Sequence, residues 1–216
     1  MDFSQAPITY TLIAINVIFS IIGFSNANFT NKFIGWPYYE KRNKEYYRLI
    51  TSGFLHADWM HLIFNMFTLF SFGQLVEHTY KAAGIGGSIG YLSLYFLGLV
   101  ASSIPSYLKH NNNEQYRSLG ASGAVSAVLF ASIVFNPWGT IVIYVLPVSA
   151  VIFAVLYLVY CVYMSKKNVG NINHDAHLWG SIFGLVFTIV LIAIFRADLF
   201  PIILEELKDV RLFGNR

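Results

Sequence analysis

Six long apolar runs dominate the chain, and none of them contains Asp, Glu, Lys or Arg. A helix that crosses the hydrocarbon core of a bilayer needs about 20 mostly apolar residues, so each run predicts a membrane span. The predicted spans cover residues 7–24, 59–76, 85–108, 119–135, 138–165 and 176–195. The sequence therefore predicts an all-α polytopic membrane protein whose two termini lie on the same side of the bilayer.

The composition excludes several other classes of protein. Charged residues make up 12% of the 216 residues, against about 25% in soluble domains, which argues against a soluble enzyme or a disordered chain. The net charge of +3 and the lack of a basic run argue against nucleic-acid binding. Cys161, the only cysteine, lies in an apolar run. We therefore expect no disulfide scaffold, cysteine-based zinc cluster or catalytic Cys–His pair. One domain over residues 1–216 is expected, because no linker or internal repeat interrupts the series of spans.

Two segments outside the predicted spans suggest contact with the membrane surface. Residues 25–50 interleave aromatic side chains with lysines and arginines, a combination that favours the headgroup layer. We expect an interfacial loop there, and an ordinary solvated loop is the alternative. The tail, residues 196–216, mixes charged and large apolar residues, which suggests a short amphipathic helix on the membrane surface.

The second span carries two polar residues, His61 and Asn65, at a spacing of four. This spacing places both on one face of a helix. Polar side chains in hydrocarbon are costly, so each is a candidate for function. The alternative is a polar clamp between two helices.

The fourth span is short and begins with Gly120-Ala121-Ser122-Gly123. Residues 120–135 would form a helix of about 24 Å, less than the roughly 30 Å of a hydrocarbon core. Ser122 is therefore expected below the membrane surface, at a helix amino terminus that favours a developing negative charge. The same run of small residues also favours close helix packing, and both interpretations can hold together.

The sixth span places His177, Gly180 and Gly184 on one face. The two glycines suit close contact with another helix that has a small-residue face, and the fourth span is the best candidate. Such a contact would bring His177 near Ser122. A histidine beside a buried serine can act as its general base, whereas an isolated buried histidine is usually structural.

Two groups of histidine and aspartate could also be metal ligands. The spacing of the HExxH zinc motif is absent, so we predict no metal site. These groups are His56, Asp58 and His61, and His174, Asp175 and His177.

Together these residues predict a serine hydrolase site with a Ser122–His177 dyad. The predicted spans contain no carboxylate to orient His177. His61, Asn65 and the backbone N–H of Ser122 would donate hydrogen bonds to the oxyanion of a tetrahedral intermediate.

This ordered set of motifs resembles the rhomboid intramembrane serine proteases over nearly the whole chain. Tyr47-Arg48 stands where family members often have Trp-Arg, and Gly73 to Glu77 resembles the family's Gly-x-x-x-Glu element, which would make Glu77 structural. The other residues that carry the resemblance are His56, His61, Asn65, Gly120, Ser122, Gly123, Ala176, His177, Gly180 and Gly184.

The resemblance implies cleavage of transmembrane protein substrates near their outer ends, without a metal or cofactor. It also implies a water-filled cavity, a lateral gate between spans two and five, and a cap over residues 166–173. Many family members have a tyrosine four residues after the serine that stacks on the histidine, and Ser126 stands there in this chain. The ring support for His177 is then either missing or supplied by another side chain.

The charge distribution and the resemblance disagree about orientation. The family places the amino terminus in the cytoplasm, which would leave nine Lys and Arg residues in external loops and five on the cytoplasmic side. The positive-inside rule favours the opposite orientation. We follow the family and expect a bacterial cytoplasmic membrane, because no Arg- and Ser-rich leader is apparent.

Two other functions are consistent with a polytopic chain. One is an inactive rhomboid-like protein that binds transmembrane clients. It would not need both Ser122 and His177. The other is a transporter or channel, whose polar residues should line a path through both leaflets rather than cluster toward one end.

Overall fold

The computed structural model describes residues 6–143, 145–167 and 173–210. Within them the chain is mostly helical, with one two-stranded antiparallel hairpin. The helices are α1 (Pro7–Ser25), α2 (Ala27–Phe33), α3 (Pro37–Asn43), α4 (Arg48–Thr51), α5 (Trp59–Ala82), α6 (Gly87–His110), α7 (Ser122–Phe135), α8 (Ala150–Lys167), α9 (His174–Phe195) and α10 (Phe200–Lys208). The strands are β1 (Thr140–Ile143) and β2 (Leu146–Ser149), and two 3-10 turns cover Ser52–Phe54 and Ala197–Leu199.

Five of the described helices, α1, α5, α6, α8 and α9, are long and apolar enough to cross a bilayer. A sixth apolar helix, α7, has only 14 residues, about 21 Å of helix. It lies at the centre of the bundle, with all but three of its residues buried, and it packs against α5, α6 and α9. The shortest apolar helix is therefore the one surrounded by the others.

The predicted fifth span, 138–165, is wrong at its beginning, because a hairpin of β1 and β2 precedes α8. The β-branched run from Thr140 favours an extended chain. Pro147 lacks a backbone N–H and disfavours a helical conformation at the residue before it. The prediction of a helical membrane protein agrees with the described residues, which are mostly helical. The hairpin was not predicted because a charge-free apolar run does not by itself distinguish strand from helix.

The segment 25–50 is not a single loop but contains α2, α3 and α4. Arg48 is buried at its end, where Nη1 donates to the carbonyl oxygens of Asn31 and Ile34 at 2.8 and 2.9 Å. Its Nε donates to the carboxylate of Glu45 at 2.6 Å. These bonds satisfy the guanidinium inside the fold and hold α2 against α4.

The same segment is attached to the chain that leads into α7. Gly35 and Ser118 exchange two backbone hydrogen bonds of 2.9 and 3.0 Å, and the N–H of Gly120 donates to the carbonyl of Ser52 at 3.0 Å. Backbone that is neither helix nor sheet is tolerated at membrane depth only where its polar groups find partners. These bonds supply partners immediately before α7 begins.

The tail forms the short helix α10, as predicted. Trp138 donates from its ring nitrogen to the carbonyl of Glu206 at 2.7 Å, which attaches the helix to the segment after α7. Ile202, Leu204 and Leu207 are exposed on its surface. Residues 211–216 of the predicted tail lie outside the described residues.

Glu77 joins α1 to α5 from a fully buried position. Its carboxylate accepts from the backbone N–H groups of Ile8 and Thr9, at 3.1 and 2.8 Å, and from the hydroxyl of Thr9 at 2.8 Å. Lys81 contributes an ion pair of 2.6 Å. The first N–H groups of a helix have no acceptor within the helix, and a carboxylate there also interacts favourably with the helix dipole.

We predict that Glu77→Ala destabilises the protein by at least about 2 kcal/mol, because it leaves buried donors of α1 without an acceptor. Thermal unfolding of the purified protein in detergent measures the effect. Glu205→Ala, which removes an exposed carboxylate from α10, is the control and should unfold like the wild type. Equal stability of all three proteins would contradict the role of Glu77.

Candidate active site

Ser122 is the first residue of α7 and is half-buried. Two residues earlier, Gly120 has a φ of +126°, in the region that side chains disfavour. A Cβ on Gly120 would lie 2.6 Å from Cε1 and 2.8 Å from Nε2 of the His61 ring. Glycine is therefore required for both the turn and the close approach of the ring. The turn leaves Ser122 at a helix amino terminus, as the sequence predicts.

His61 and Asn65 occupy the first two turns of α5, which begins at the cap residue Asp58. The Asp58 carboxylate accepts from the His61 N–H at 2.8 Å. The Ala57 N–H approaches His61 Nδ1 at 3.5 Å, which favours the tautomer with the proton on Nε2, the nitrogen nearer Gly120. Asn65 is buried, and its Nδ2 donates one hydrogen to the His61 carbonyl at 3.0 Å. The second amide hydrogen is left for another acceptor.

His56 supports this corner from the loop before α5. Its Nδ1 is 2.8 Å from the hydroxyl of Ser20 on α1, and its ring centroid is 5.0 Å from that of His61. Burial, with a smaller contribution from the neighbouring His61, lowers the pKa of His56 to about 3, so the ring is neutral. A neutral ring at this contact can hold the His61 ring without adding a charge to the site.

His177 lies in the first turn of α9, which Asn173 caps by accepting the N–H of Ala176 at 3.1 Å. Backbone contact brings this turn to the beginning of α7. A Cβ on Gly123 would lie 3.5 Å from the Ala176 carbonyl, and a Cβ on Gly180 would collide with the Gly123 carbonyl. The first turns of α7 and α9 are therefore adjacent, and they carry Ser122 and His177.

The second glycine of α9 repeats this contact one turn further into the bundle. A Cβ on Gly184 would collide with the carbonyl of Ala127 on α7. Both glycines of the predicted small-residue face thus meet α7, and this is the helix that the sequence named as the best partner.

Tyr157 on α8 is a neighbour of His177 that the sequence did not identify. Its ring is stacked on that of His177, with centroids 6.3 Å apart and an interplanar angle of 17°. Its hydroxyl lies 3.4 Å from the hydroxyl of Ser126. His177 therefore has an aromatic ring beside it, but the ring belongs to α8. Its hydroxyl lies near Ser126, the position where the resemblance predicts a tyrosine.

Cys161 also lies closer to the histidines than its sequence position suggests. Ligand atoms of Cys161, His174 and His177 lie within 4.8 Å of one another. The carboxylate of Asp175 is directed elsewhere. It accepts a hydrogen bond from Ser165 and lies 3.7 Å from Lys109. The grouping in the fold therefore differs from the two groups of histidine and aspartate that the sequence analysis considered and rejected as metal sites.

A small cavity of about 30 Å³ lies beside Ser122. Volume of this order can hold a water molecule or two. Its lining is rich in hydroxyl groups and consists of Leu49, Ser52, Gly53, Leu99, Ser102, Ser103, Ser118, Leu119, Gly120, Ser122, Gly123, Asn173 and Ala176. A serine hydroxyl, an imidazole, N–H groups that can donate hydrogen bonds and room for water thus lie toward one end of the helix bundle. Groups of these kinds are the ones that acyl transfer to water requires.

The chain is similar in sequence to known rhomboid proteins. The Rhomboid domain family matches residues 43–194. The Haemophilus influenzae rhomboid protease GlpG is 32% identical over 128 residues, which are 58% of this chain and 60% of that protein. The Bacillus subtilis rhomboid protease GluP is 32% identical over 128 residues, which are 57% of this chain and 23% of that protein.

Relatives from organelles are also similar. The Arabidopsis thaliana RHOMBOID-like protein 12, mitochondrial, is 29% identical over 143 residues, which are 62% of this chain and 43% of that protein. The chain spans about half the length of the curated relatives that it matches. Since the family match covers most of the sequence and several apolar helices are long enough to cross a bilayer, this multi-pass membrane protein belongs to the rhomboid family.

Proposed function

We propose that the protein is an intramembrane serine endopeptidase that hydrolyses peptide bonds in or near the transmembrane segments of other membrane proteins. The single observation that carries this proposal is the contact between the first turns of α7 and α9, which carry Ser122 and His177. Two relatives named as rhomboid proteases support a protease function.

The chemistry begins with proton transfer. His177 takes the proton of the Ser122 hydroxyl as Oγ attacks the carbonyl carbon of the substrate, and the carbonyl oxygen becomes an oxyanion. The backbone N–H of Ser122, Nε2–H of His61 and the second amide hydrogen of Asn65 are proposed as its donors. When the tetrahedral intermediate collapses, His177 returns the proton to the leaving amine.

Deacylation reverses these roles with water. His177 removes a proton from a water molecule, the resulting hydroxide attacks the acyl carbon, and the proton passes to Ser122 Oγ as the acid product leaves. The cavity beside Ser122 is a source for this water. Neither step needs a metal or cofactor.

The proposed catalytic unit is a dyad. Glu77 is a carboxylate within α5, but it is bound to the first turn of α1 and is therefore engaged elsewhere. We propose that Tyr157 orients His177 in place of a third catalytic residue, because its ring stacks on the imidazole and its hydroxyl pairs with Ser126.

Access for a transmembrane substrate is proposed between α5 and α8. Helix α8 packs mainly against α9, and large side chains on the outer face of α5 are exposed. They are Trp59, Met60, Ile63, Phe64 and Phe67. A face of this kind suits contact with lipid or with the helix of a substrate. The proposed cap over 166–173 includes residues 168–172, which lie outside the described residues.

The proposed topology counts α7 as the sixth membrane-embedded helix and places the amino terminus in the cytoplasm. We propose a bacterial cytoplasmic membrane as the location. The inactive rhomboid-like alternative shares this fold and differs only in that it would not cleave its clients.

We predict that Ser122→Ala and His177→Ala each abolish cleavage of a transmembrane reporter in proteoliposomes, because either change removes a member of the dyad. The reporter carries a small residue followed by helix-weakening residues, and product is measured by gel and mass spectrometry. Ser132→Ala, which removes another buried hydroxyl of α7, should cleave at the wild-type rate. Cleavage by Ser122→Ala would overturn the proposal. A folded wild type that does not cleave the reporter would also overturn it.

Asn65→Ala should slow cleavage by about a hundredfold, the usual effect of removing one oxyanion donor, while the protein unfolds at nearly the same temperature. Ser71→Ala is a matched control, since Ser71 also bonds the carbonyl four residues earlier in α5 but is exposed. If Asn65→Ala retains the full rate, Asn65 is only a clamp within the helix.

Tyr157→Ala should slow the reaction of Ser122 with a fluorophosphonate probe by about two- to tenfold, the loss expected for one aromatic contact. Tyr157→Phe keeps the stacked ring and should restore most of the rate, whereas a requirement for the hydroxyl would leave both variants equally slow. Tyr163→Ala, an exposed change on the same helix, is the control. An unchanged rate in Tyr157→Ala would rule out the positioning role.

A further inference from the structure

Three side chains with the chemistry of metal ligands converge beside the proposed catalytic base. Cys161 comes from α8, and His174 and His177 come from the first turn of α9. Their ligand atoms lie within 4.8 Å of one another. A thiolate with two imidazoles is a ligand set that prefers zinc and similar divalent ions over magnesium or calcium.

A second observation points to a ligand at this place. His174 is buried, and its Nδ1 has no hydrogen-bond partner among the described residues. A buried polar atom without a partner is destabilising, and such an atom calls for an explanation such as an ion or a water molecule. The Cys161 side chain is fully buried as well, so both groups face the interior of this corner.

We propose that Cys161, His174 and His177 form a binding site for Zn²⁺, or for a divalent ion of similar chemistry, and that the bound ion inhibits the protein. The ion would bind directly to the His177 imidazole, which could then no longer accept the proton of Ser122. The inhibitory part rests on the proposed protease function, whereas the binding part does not.

The geometry requires only a modest adjustment. Zinc lies about 2.3 Å from a cysteine sulfur and about 2.0 Å from a histidine nitrogen, so ligand atoms of one tetrahedral site are roughly 3.5 Å apart. The present separations of up to 4.8 Å can close by side-chain rotation and a small shift of α8 toward α9. The thiol would release its proton to the solvent as the sulfur coordinates the ion.

The three residues lie toward one end of helices α8 and α9. Cys161 precedes the end of α8 at Lys167 by six residues, or about 9 Å along a helix. His174 is the first residue of α9. Both residues therefore lie near helix ends rather than at the middle of the bundle, and the fourth zinc ligand could be water.

Direct binding tests the site without reference to catalysis. The full-length protein, purified through a tag without histidine, is titrated with Co²⁺ as a spectroscopic probe and then with Zn²⁺ in competition. We expect the charge-transfer absorption of a thiolate–Co²⁺ bond, its loss in Cys161→Ala, and its displacement by Zn²⁺. His78→Ala, which removes an exposed histidine of α5, should bind like the wild type. Absence of thiolate absorption in the wild type would overturn the proposal.

Inhibition is measured as the rate of fluorophosphonate labelling at increasing Zn²⁺. We expect Cys161→Ala to label at the wild-type rate without metal and to need at least about tenfold more Zn²⁺ for half inhibition. Equal sensitivity of the two proteins would show that zinc acts elsewhere. A wild type that binds Co²⁺ through the thiolate but is never labelled would remove the inhibitory role and the protease function while leaving the metal site intact.

Discussion

The close approach of α7 and α9 is the contact on which the site depends. Gly180 and Gly184 let the α9 backbone lie against the carbonyl groups of Gly123 and Ala127, where a Cβ would not fit. Without a hydrophobic driving force between helices in lipid, such packing depends on small residues and van der Waals contact. Because α7 is short and surrounded by other helices, this contact fixes the beginning of α7 inside the bundle, next to the first turn of α9.

The chain before α7 must then descend into the protein, and its backbone groups need partners there. The exchange between Gly35 and Ser118 and the bond from Gly120 to Ser52 supply them. The segment 25–50, which is held by Arg48, therefore supports the turn that precedes Ser122. This explains in physical terms why an aromatic and basic segment outside the long spans belongs to the same structural unit as the site.

Features with a local sequence signal could be predicted, and features set by tertiary contacts could not. The short helix at Ser122 and the glycine face of α9 follow from spacing and length alone. The hairpin before α8 was missed because a charge-free apolar run is compatible with strand and helix. The contact between Tyr157 and His177 was not predicted, because no sequence pattern indicates that a tyrosine in one apolar run packs against a histidine on another helix. The same limit applies to Cys161, whose neighbours come from α9.

The central claim is that His177 activates Ser122, and covalent labelling tests it most directly. The purified wild type, reacted with a fluorophosphonate and digested, should carry the adduct on the peptide that contains Ser122, as read by mass spectrometry. His177→Ala should fold and leave that peptide unmodified. An adduct elsewhere, an unmodified Ser122 in folded wild type, or equal labelling in His177→Ala would contradict the account.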